Sequence, residues 1–574
     1  MSDTIPARFV AQATVRPGEP AWFTRTEAGW QPTTWAGAVS EARQLARALV
    51  SAGFKPGDRL TIAGNNRAEW VLAAHAAMMA GGASAGVYGT CSADEVAYIV
   101  SHAEASIAFV EDRAQLDKLR SRREQLPLLK HIVGFRGLAV QDEPLFVQWE
   151  AFLARGDATA ADVIDARIGL LADDGVGTLI YTSGTTGPPK AVMLTHRNLA
   201  WTAGVALEIA SVGASDSMLS YLPLSHIAEQ MFTVHVPATC GSHVYFARSI
   251  ETLKEDLASA QPTIFFGVPR VWEKMNAGIA AKLKDATGAK RRLAAWAMAT
   301  GRAAAAARNA GGRPGLLLAL QERLAERLVL AKVRAAIGLG RARFCVSGAA
   351  PIAPDVLEFF SSFGLIIHEV YGQSEGCGPT SFNRPGATRF GSVGPAVPGV
   401  ELRIAEDGEI CARGPNVFKG YLKDETATNE ALLDGWLRSG DLGQIDAQGF
   451  LHITGRKKDI IVTAGGKNIA PKNIEGGLKE SPYVVEAVVI GDRRPFLSAL
   501  LVVEGDVKDE VLQAHVDAVN SRFARVEHVR KWRRLPRPLD VEHGELTPTL
   551  KVKRKRVDEH FKAIIDEMYA QETP

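Results

Sequence analysis

The sequence predicts an α/β fold in two unequal parts, a large N-terminal domain over residues 1–457 and a smaller C-terminal domain over residues 458–574. Three observations lead there. A chain of 574 residues exceeds what one hydrophobic core organises. Helical and strand periods take turns from Trp35 to Asp112, the pattern of parallel α/β layers. A charged, glycine-containing stretch, GRKKDIIVTAGGKN (455–468), reads as a linker ahead of a last segment of mixed strand and helix.

In chain order, AGAVSEARQLARALVSAG reads as a helix, DRLTIAG as a strand, EWVLAAHAAMMAGGASAGVY as mainly helical and EASIAFVED as a strand. The run GTLIYTSGTTGPPKAVMLTH (177–196) reads as strand, glycine-threonine loop and strand. From Leu283 to Leu339 the texture changes to Ala, Leu and Arg at helical spacing, broken at Gly311-Gly312-Arg313-Pro314, so two helices joined by a turn are expected. Their basic residues are read as a solvated face, with peripheral contact to a membrane surface as the alternative. Beyond Ala342 short strands return in FCVSG, IIHEVYG, VELRIAEDGEICARG and GFLHITG, and the chain closes on the charged helix RVDEHFKAIIDEMYA.

Bulk composition mainly excludes. Sixty-six basic against sixty-four acidic residues leave a net charge of +2, so no chain-wide field favours nucleic acid or an anionic membrane. Five cysteines, odd in number and without a CxxC pair, argue against a disulfide framework or a zinc site and fit reduced thiols in the cytoplasm. The N-terminal MSDTIPARFVAQATV has no basic stretch followed by an apolar run, so no secretory signal is expected. No apolar run is long enough for a membrane span.

The densest chemistry lies in YTSGTTGPPK (181–190). Glycines such as Gly184 and Gly187 let backbone N–H groups approach phosphate oxygens, Ser183, Thr185 and Thr186 add hydroxyl donors, and Lys190 adds a charge. The GxxxxGK[ST] spacing of a P-loop is absent. A turn of this composition is by itself more often an ordinary surface loop.

Its companions change that reading. In order follow YLPLSHIAEQ (221–230), SGAAP (347–351), YGQSEG (371–376), GEICARGPNVFKGY (408–421), WLRSGDLG (436–443), ITGRKKDIIVTAGGKNIAP (453–471) and ELTPTLKVKR (545–554). This series resembles the adenylate-forming, AMP-binding superfamily over about residues 20–570. PTIFFGVPRVWEK (262–274), VTAGGKNIAP, GDRRPFLSALL (491–501) and LTPTLKVKR resemble its long-chain fatty acyl-CoA synthetase branch. Two departures are visible: Ala191 where the family usually has glycine, and a shorter segment after Val503.

The resemblance implies a large N-terminal domain of several subdomains with layered sheets and a small mobile C-terminal domain. It also implies ATP, Mg2+ and coenzyme A as cofactor and co-substrates, and a fatty acid as substrate. Lys551 would bridge the acyl carboxylate and the α-phosphate, with Thr186, His226 and Glu375 completing the catalytic set. Glu375 and Thr182 would hold the metal. Tyr371 would stack on adenine beside the backbone of Gly348, Ala349 and Ala350, Asp441 would accept the ribose hydroxyls, and Arg456 would add a ribose or phosphate contact. Glu369, Gly372 and Ser374 fall within the same nucleotide site. Lys458 would be the hinge, and Gly465 and Gly466 in the Thr463–Asn468 loop would line a pantetheine tunnel after the small domain swings. His226 would wall off an acyl pocket drawn from Gln230, Phe232, Phe266, Gly267, Val268 and Gly376; some long-chain relatives carry a gating tryptophan where this chain has Gln230.

Locally each residue has a plainer reading: Asp441 as a turn residue, Glu375 as a surface charge, Lys551 as one of a solvated basic run with Lys553, Arg554, Lys555 and Arg556. Three rival functions follow. An acyl-AMP ligase loading a carrier protein would carry an insertion before the hinge, and none stands around Phe450–Lys458. A luciferase-like oxygenase fits the long-chain phrases poorly. A non-catalytic acyl-binding protein would have no use for a movable lysine.

Overall fold

The computed structural model describes residues 3–182, 188–541, 543–547 and 551–570. The N-terminal part is built on two eight-stranded sheets and a five-stranded one. The segment from Trp35 to Asp112 folds as parallel layers: Arg59–Ala63 pairs in parallel with Ala83–Val87 on one side and Ile107–Val110 on the other. Between them the helix Ala68–Met79 is buried from Glu69 to Met79, because AEWVLAAHAAMM offers an apolar surface in nearly every direction. Towards one edge this sheet continues through the antiparallel pair Val176–Thr182 and Lys190–Thr195, with Thr182 opposite Lys190, to the short strand Gly420–Tyr421.

The other large sheet runs Ser217–Ser220, Ile264–Gly267, Phe344–Ser347 and Ile367–Gln373 side by side in parallel. The C-terminal ends of its strands lead into the segments that carry His226, Val268, Gly348 and Glu375, the side on which open α/β sheets bind ligands. In the five-stranded sheet the long strand Trp436–Ile445 pairs antiparallel with Leu451–Arg456 and sets Asp441 opposite Arg456.

The C-terminal part holds a three-stranded sheet, Val484–Ile490, Leu497–Val503 and Val529–Arg534, whose central strand Leu497–Val503 is buried on both faces. Alternate residues feed two cores. Ala487, Val489, Leu497, Ala499 and Leu501 pack with the helices Pro471–Leu478 and Asp509–Asn520; Val488, Ile490, Leu500 and Val502 pack with Val557, Phe561, Ile565 and Met568.

Two expectations differ from what is observed. The closing helix breaks at Phe561 into Arg554–His560 and Lys562–Tyr569. The buried Phe561 ring lies under the Arg537 guanidinium, 5.4 Å away, and its backbone leaves helical angles to reach that seat. The Ala/Leu/Arg segment forms helices Gly288–Asn309 and Leu316–Ala325, the latter continuing through a π-turn to Ala336. The second carries, beside the exposed arginines expected of a solvated face, a run of exposed leucines that the expectation did not include.

Candidate active site

The strand IHEVYGQ (367–373) crosses close to Gly378–Phe382, and a Cβ on Gly372 would collide with the Gly378 carbonyl, so only glycine permits the crossing. This turn presents Tyr371 and Glu375 to a cleft facing the C-terminal part. The Tyr371 hydroxyl donates to Asp441 Oδ2 at 2.8 Å, and Arg456 Nε stands 3.7 Å from Asp441 Oδ1. Burial and the Asp441 charge hold the Tyr371 hydroxyl well above its ordinary pKa, so it remains a donor. Tyr371, Asp441 and Arg456 thus form one half-buried cluster, with a carboxylate held between a phenol and a guanidinium.

Glu375 Oε1 accepts from the Tyr421 hydroxyl at 2.7 Å. Lys190 Nζ lies 5.0 Å above the Tyr421 ring and 3.8 Å from Asp424 Oδ2. Thr182 Oγ1 donates to the Lys190 carbonyl at 3.4 Å. Ser183, Gly184, Thr185, Thr186 and Gly187 lie outside the described residues.

Beside this, Phe344–Ser347 ends in the SGAAP loop. Gly348 is buried, with room for no more than hydrogen, since a Cβ would meet Val370 Cγ1 at 2.5 Å. Ala349 adopts a left-handed φ of 68° and is exposed with Ala350. Ser347 Oγ is buried and finds no partner among the described residues. A strained loop next to an orphaned hydroxyl fits a surface completed by a polar ligand. Ser374 is buried at the start of the turn carrying Glu375, whereas Glu369 faces inward and accepts from the Gly391 N–H at 3.0 Å. Burial raises the Glu369 pKa to about 8, the acceptance from Gly391 opposing, so its carboxyl is mostly neutral at pH 7.

Lys551 comes to this cleft from the C-terminal part. Leu546 bridges Val552, and Lys551 N donates to Thr547 Oγ1 at 3.0 Å. Glu545, fully buried, anchors the start of this segment by accepting from Arg537 Nη1 and Nη2 at 2.7 and 2.5 Å, with His560 Nδ1 at 3.0 Å. The Lys551 side chain is open to water, yet the surrounding walls crowd its ammonium. Desolvation, then Arg456 and Lys472, lower its pKa, while Asp441 and Glu375 act the other way. Charges of both parts therefore converge on one cleft.

His226 also feels Lys551. It caps the helix Ile227–Gln230, with Nδ1 accepting from Ala228 N at 3.1 Å. Burial first and the Lys551 charge second lower its pKa to about 4, so at neutral pH the ring is uncharged and Nε2 carries its proton. Behind it Glu229 is buried, accepting from Thr233 Oγ1 at 2.6 Å and Ser220 Oγ at 2.7 Å, which fixes the segment. Phe232 and Phe266 pack at 5.2 Å between centroids, and Gln230 turns its amide to the Leu224 carbonyl at 2.9 Å.

Lys458 and the Gly465–Gly466 loop stand elsewhere. Lys458 is exposed in a single turn after Arg456, whereas its neighbour Lys457 is tied to Asp407 and Glu409 at 2.6 and 3.2 Å. Gly465 and Gly466 are exposed, and the loop's hydrogen bonds, Thr463 N to Lys467 O and Ala464 N to Arg494 O, stay within the C-terminal part. The structure brings Lys551 to the cleft and leaves this loop outside. Sequence reasoning missed Tyr421, Glu545 and Lys472: Tyr421 closes the motif 408–421 and Glu545 opens 545–554, but only the fold shows what they touch.

Residues 9–422 match the AMP-binding enzyme family and residues 458–573 match the AMP-binding enzyme C-terminal domain. The chain is 36% identical to the long-chain-fatty-acid–CoA ligase ACSBG2 of Xenopus laevis, covering 94% of this chain and 80% of that protein. It is 37% identical to the long-chain-fatty-acid–CoA ligase FadD15 of Mycobacterium bovis, covering 95% and 93%. Among solved structures, the anthranilate CoA ligase AuaEII with anthranoyl-AMP aligns with a TM-score of 0.77 at 20% identity, over 99% of this chain and 100% of that one. The A-PCP didomain of carboxylic acid reductase from Segniliparus rugosus aligns at 0.79 and 19%, over 99% and 82%. These two share the fold. With both family models matched and full-length relatives above one third identity, the chain belongs to the AMP-binding, adenylate-forming enzyme family, in its long-chain acyl-CoA synthetase branch.

Proposed function

We propose that this enzyme activates long-chain fatty acids with ATP and transfers the acyl group to coenzyme A, working in the two steps that its two parts make available. It is an ATP-dependent acid–thiol ligase, as its relatives are. The observation that carries the mechanism is Lys551 of the C-terminal part standing in the cleft with Asp441, Glu375, Arg456 and His226 of the N-terminal part.

In the first step a carboxylate oxygen attacks the α-phosphorus of ATP and the bond to pyrophosphate breaks. Two anions must meet, and the Lys551 ammonium offsets their repulsion where charge builds up. Asp441, held by Tyr371 and Arg456, accepts the ribose hydroxyls and sets the nucleotide's position. Neutral His226 offers Nε2–H as a donor and takes no proton. Magnesium fits the oxygen donors Glu375 and Thr182, a hard and sparse set suited to an ion that keeps waters and phosphate oxygens as its other ligands; it would screen phosphate charge there.

In the second step the thiol sulfur attacks the acyl carbonyl and AMP leaves. Lys551 withdraws as the part from residue 458 turns about Lys458 and brings Gly465 and Gly466 to the cleft. Lys457, clamped to Asp407 and Glu409, ends the fixed body immediately before the hinge. Coenzyme A is favoured over a carrier protein by the direct run of the Leu451–Arg456 strand into the turn Lys457–Asp459, with nothing inserted to hinder the swing. The cytoplasm is the compartment we assign, on five free cysteines, four of them buried.

The test is a coupled assay with ATP, magnesium, coenzyme A and saturated acids from acetate to stearate, reading AMP and acyl-CoA separately. Both products in equal amounts, best with long chains, are expected. Acyl-AMP without thioester would assign a different acceptor.

A further inference from the structure

The helical excursion between the strands Ile264–Gly267 and Phe344–Ser347 carries an outer surface that catalysis does not use. Leu316, Leu317, Leu320, Leu324 and Leu328 are 89%, 72%, 61%, 52% and 39% exposed. Leu316, Leu320, Leu324 and Leu328 recur every fourth residue, and Leu317 widens the same stripe. The opposite side is the packed one: Ala325 and Leu330 are buried in a core shared with Ala297 of the neighbouring helix. An apolar stripe facing water on a well-packed helix marks a contact surface.

Charge selects the partner. Residues 282–334 hold twelve lysines and arginines against three acidic residues. Both glutamates are already bound to arginines, Glu322 to Arg308 at 2.6 Å and Glu326 to Arg334. Arg323 and Arg327 border the leucine stripe, Arg313 stands at its start, and Lys290, Arg291 and Arg292 open the neighbouring helix; all six are exposed. Arginines beside leucines can bury their stems with the apolar face and leave the guanidinium among anionic headgroups. The chain's near-neutral total charge makes this basic patch a local feature.

We propose that the helix beginning at Leu316 seats the enzyme on the surface of an anionic lipid bilayer, its leucines in the acyl boundary and Arg313, Arg323 and Arg327 at the headgroups. No helix among the described residues is long and apolar enough to cross a membrane, so this is contact in the plane of the surface.

Vesicle flotation with the full chain tests it, using vesicles of phosphatidylcholine alone or with about 30% phosphatidylglycerol. The wild type is expected to float with the anionic vesicles and to release as sodium chloride rises from about 50 to about 500 mM. Leu316→Glu/Leu320→Glu/Leu324→Glu should lose binding at least ~10-fold, and Arg323→Glu/Arg327→Glu should bind more weakly with a flatter salt dependence. Both should keep wild-type rates on a short, water-soluble acid and an unchanged Tm, since the altered side chains are exposed; if the triple variant does not fold, Leu316→Glu alone serves. A wild type that never floats, or a leucine variant that floats as well as wild type, overturns the proposal. So does a dimer that the leucine variant splits without any vesicle binding, which would assign the face to a second copy of this chain.

Discussion

At the scale of single residues, the site works through neighbours that limit what each group can do. Asp441 suits the proposed ribose contact because Tyr371 and Arg456 hold its carboxylate from two sides, and an acceptor fixed in this way would need little reorganisation to receive hydroxyl groups. Asp441→Ala should raise the Kd for ATP by roughly ten- to a hundredfold, the usual worth of hydrogen bonds to a charged group. Equilibrium titration with a non-hydrolysable ATP analogue measures it, and an unchanged Kd would remove Asp441 from the ribose site. His226 shows how far residue types are legible in a sequence. Its motif marks it as part of the site, but the hydrogen bond from Ala228 that fixes its tautomer comes from a helix start that the sequence does not reveal. Tyr421 is similar, since the 46 residues separating it from Glu375 are closed only by the sheet.

At the scale of elements, the bridged residues Leu546 and Val552 that flank Lys551 stand beside a buried carboxylate. Glu545 has no solvent access and neutralises Arg537 beside His560, while depending on neither substrate. Breaking a buried pair from one side leaves the other charge exposed to a poor environment. Glu545→Gln is therefore expected to slow acyl-AMP formation about tenfold or more while sparing transfer from supplied acyl-AMP, because in the proposed mechanism only the first step needs Lys551 in place. Equal slowing of both steps in single-turnover experiments would mean general damage to the C-terminal part. The strands and helices of residues 35–112 were legible because their periods are long and clean. The leucine face was not, since the same apolar spacing serves a core helix, and only the position of the neighbouring helix decides which side is covered.

At the scale of the whole molecule, stability at low pH is tied to histidines in the N-terminal core. His235 is buried with neither ring nitrogen hydrogen-bonded among the described residues, and burial, then nearby His196, lowers its pKa to about 3. The unfolded chain binds this proton near pH 6.5 and the folded one does not, so stability is full above that pH and falls as pH drops towards 3. His235→Leu removes the effect. Relative to wild type, the variant should gain about 1 kcal/mol of stability for each pH unit below 6, as read from urea melts between pH 7 and 5. A difference independent of pH would show that His235 does not titrate on unfolding. A large N-terminal and a smaller C-terminal domain were legible, but the arrangement of the parts was not, because it brings together charges about a hundred positions apart in sequence, such as Asp441 and Lys551.

The central claim is that one lysine, delivered by the C-terminal part, serves the first step and leaves before the second. Lys551→Ala measured in separated half-reactions tests it most directly. The account predicts acyl-AMP formation reduced on the order of a hundred- to a thousandfold, with transfer from preformed acyl-AMP to coenzyme A within about twofold of wild type. Equal loss in both half-reactions would contradict it.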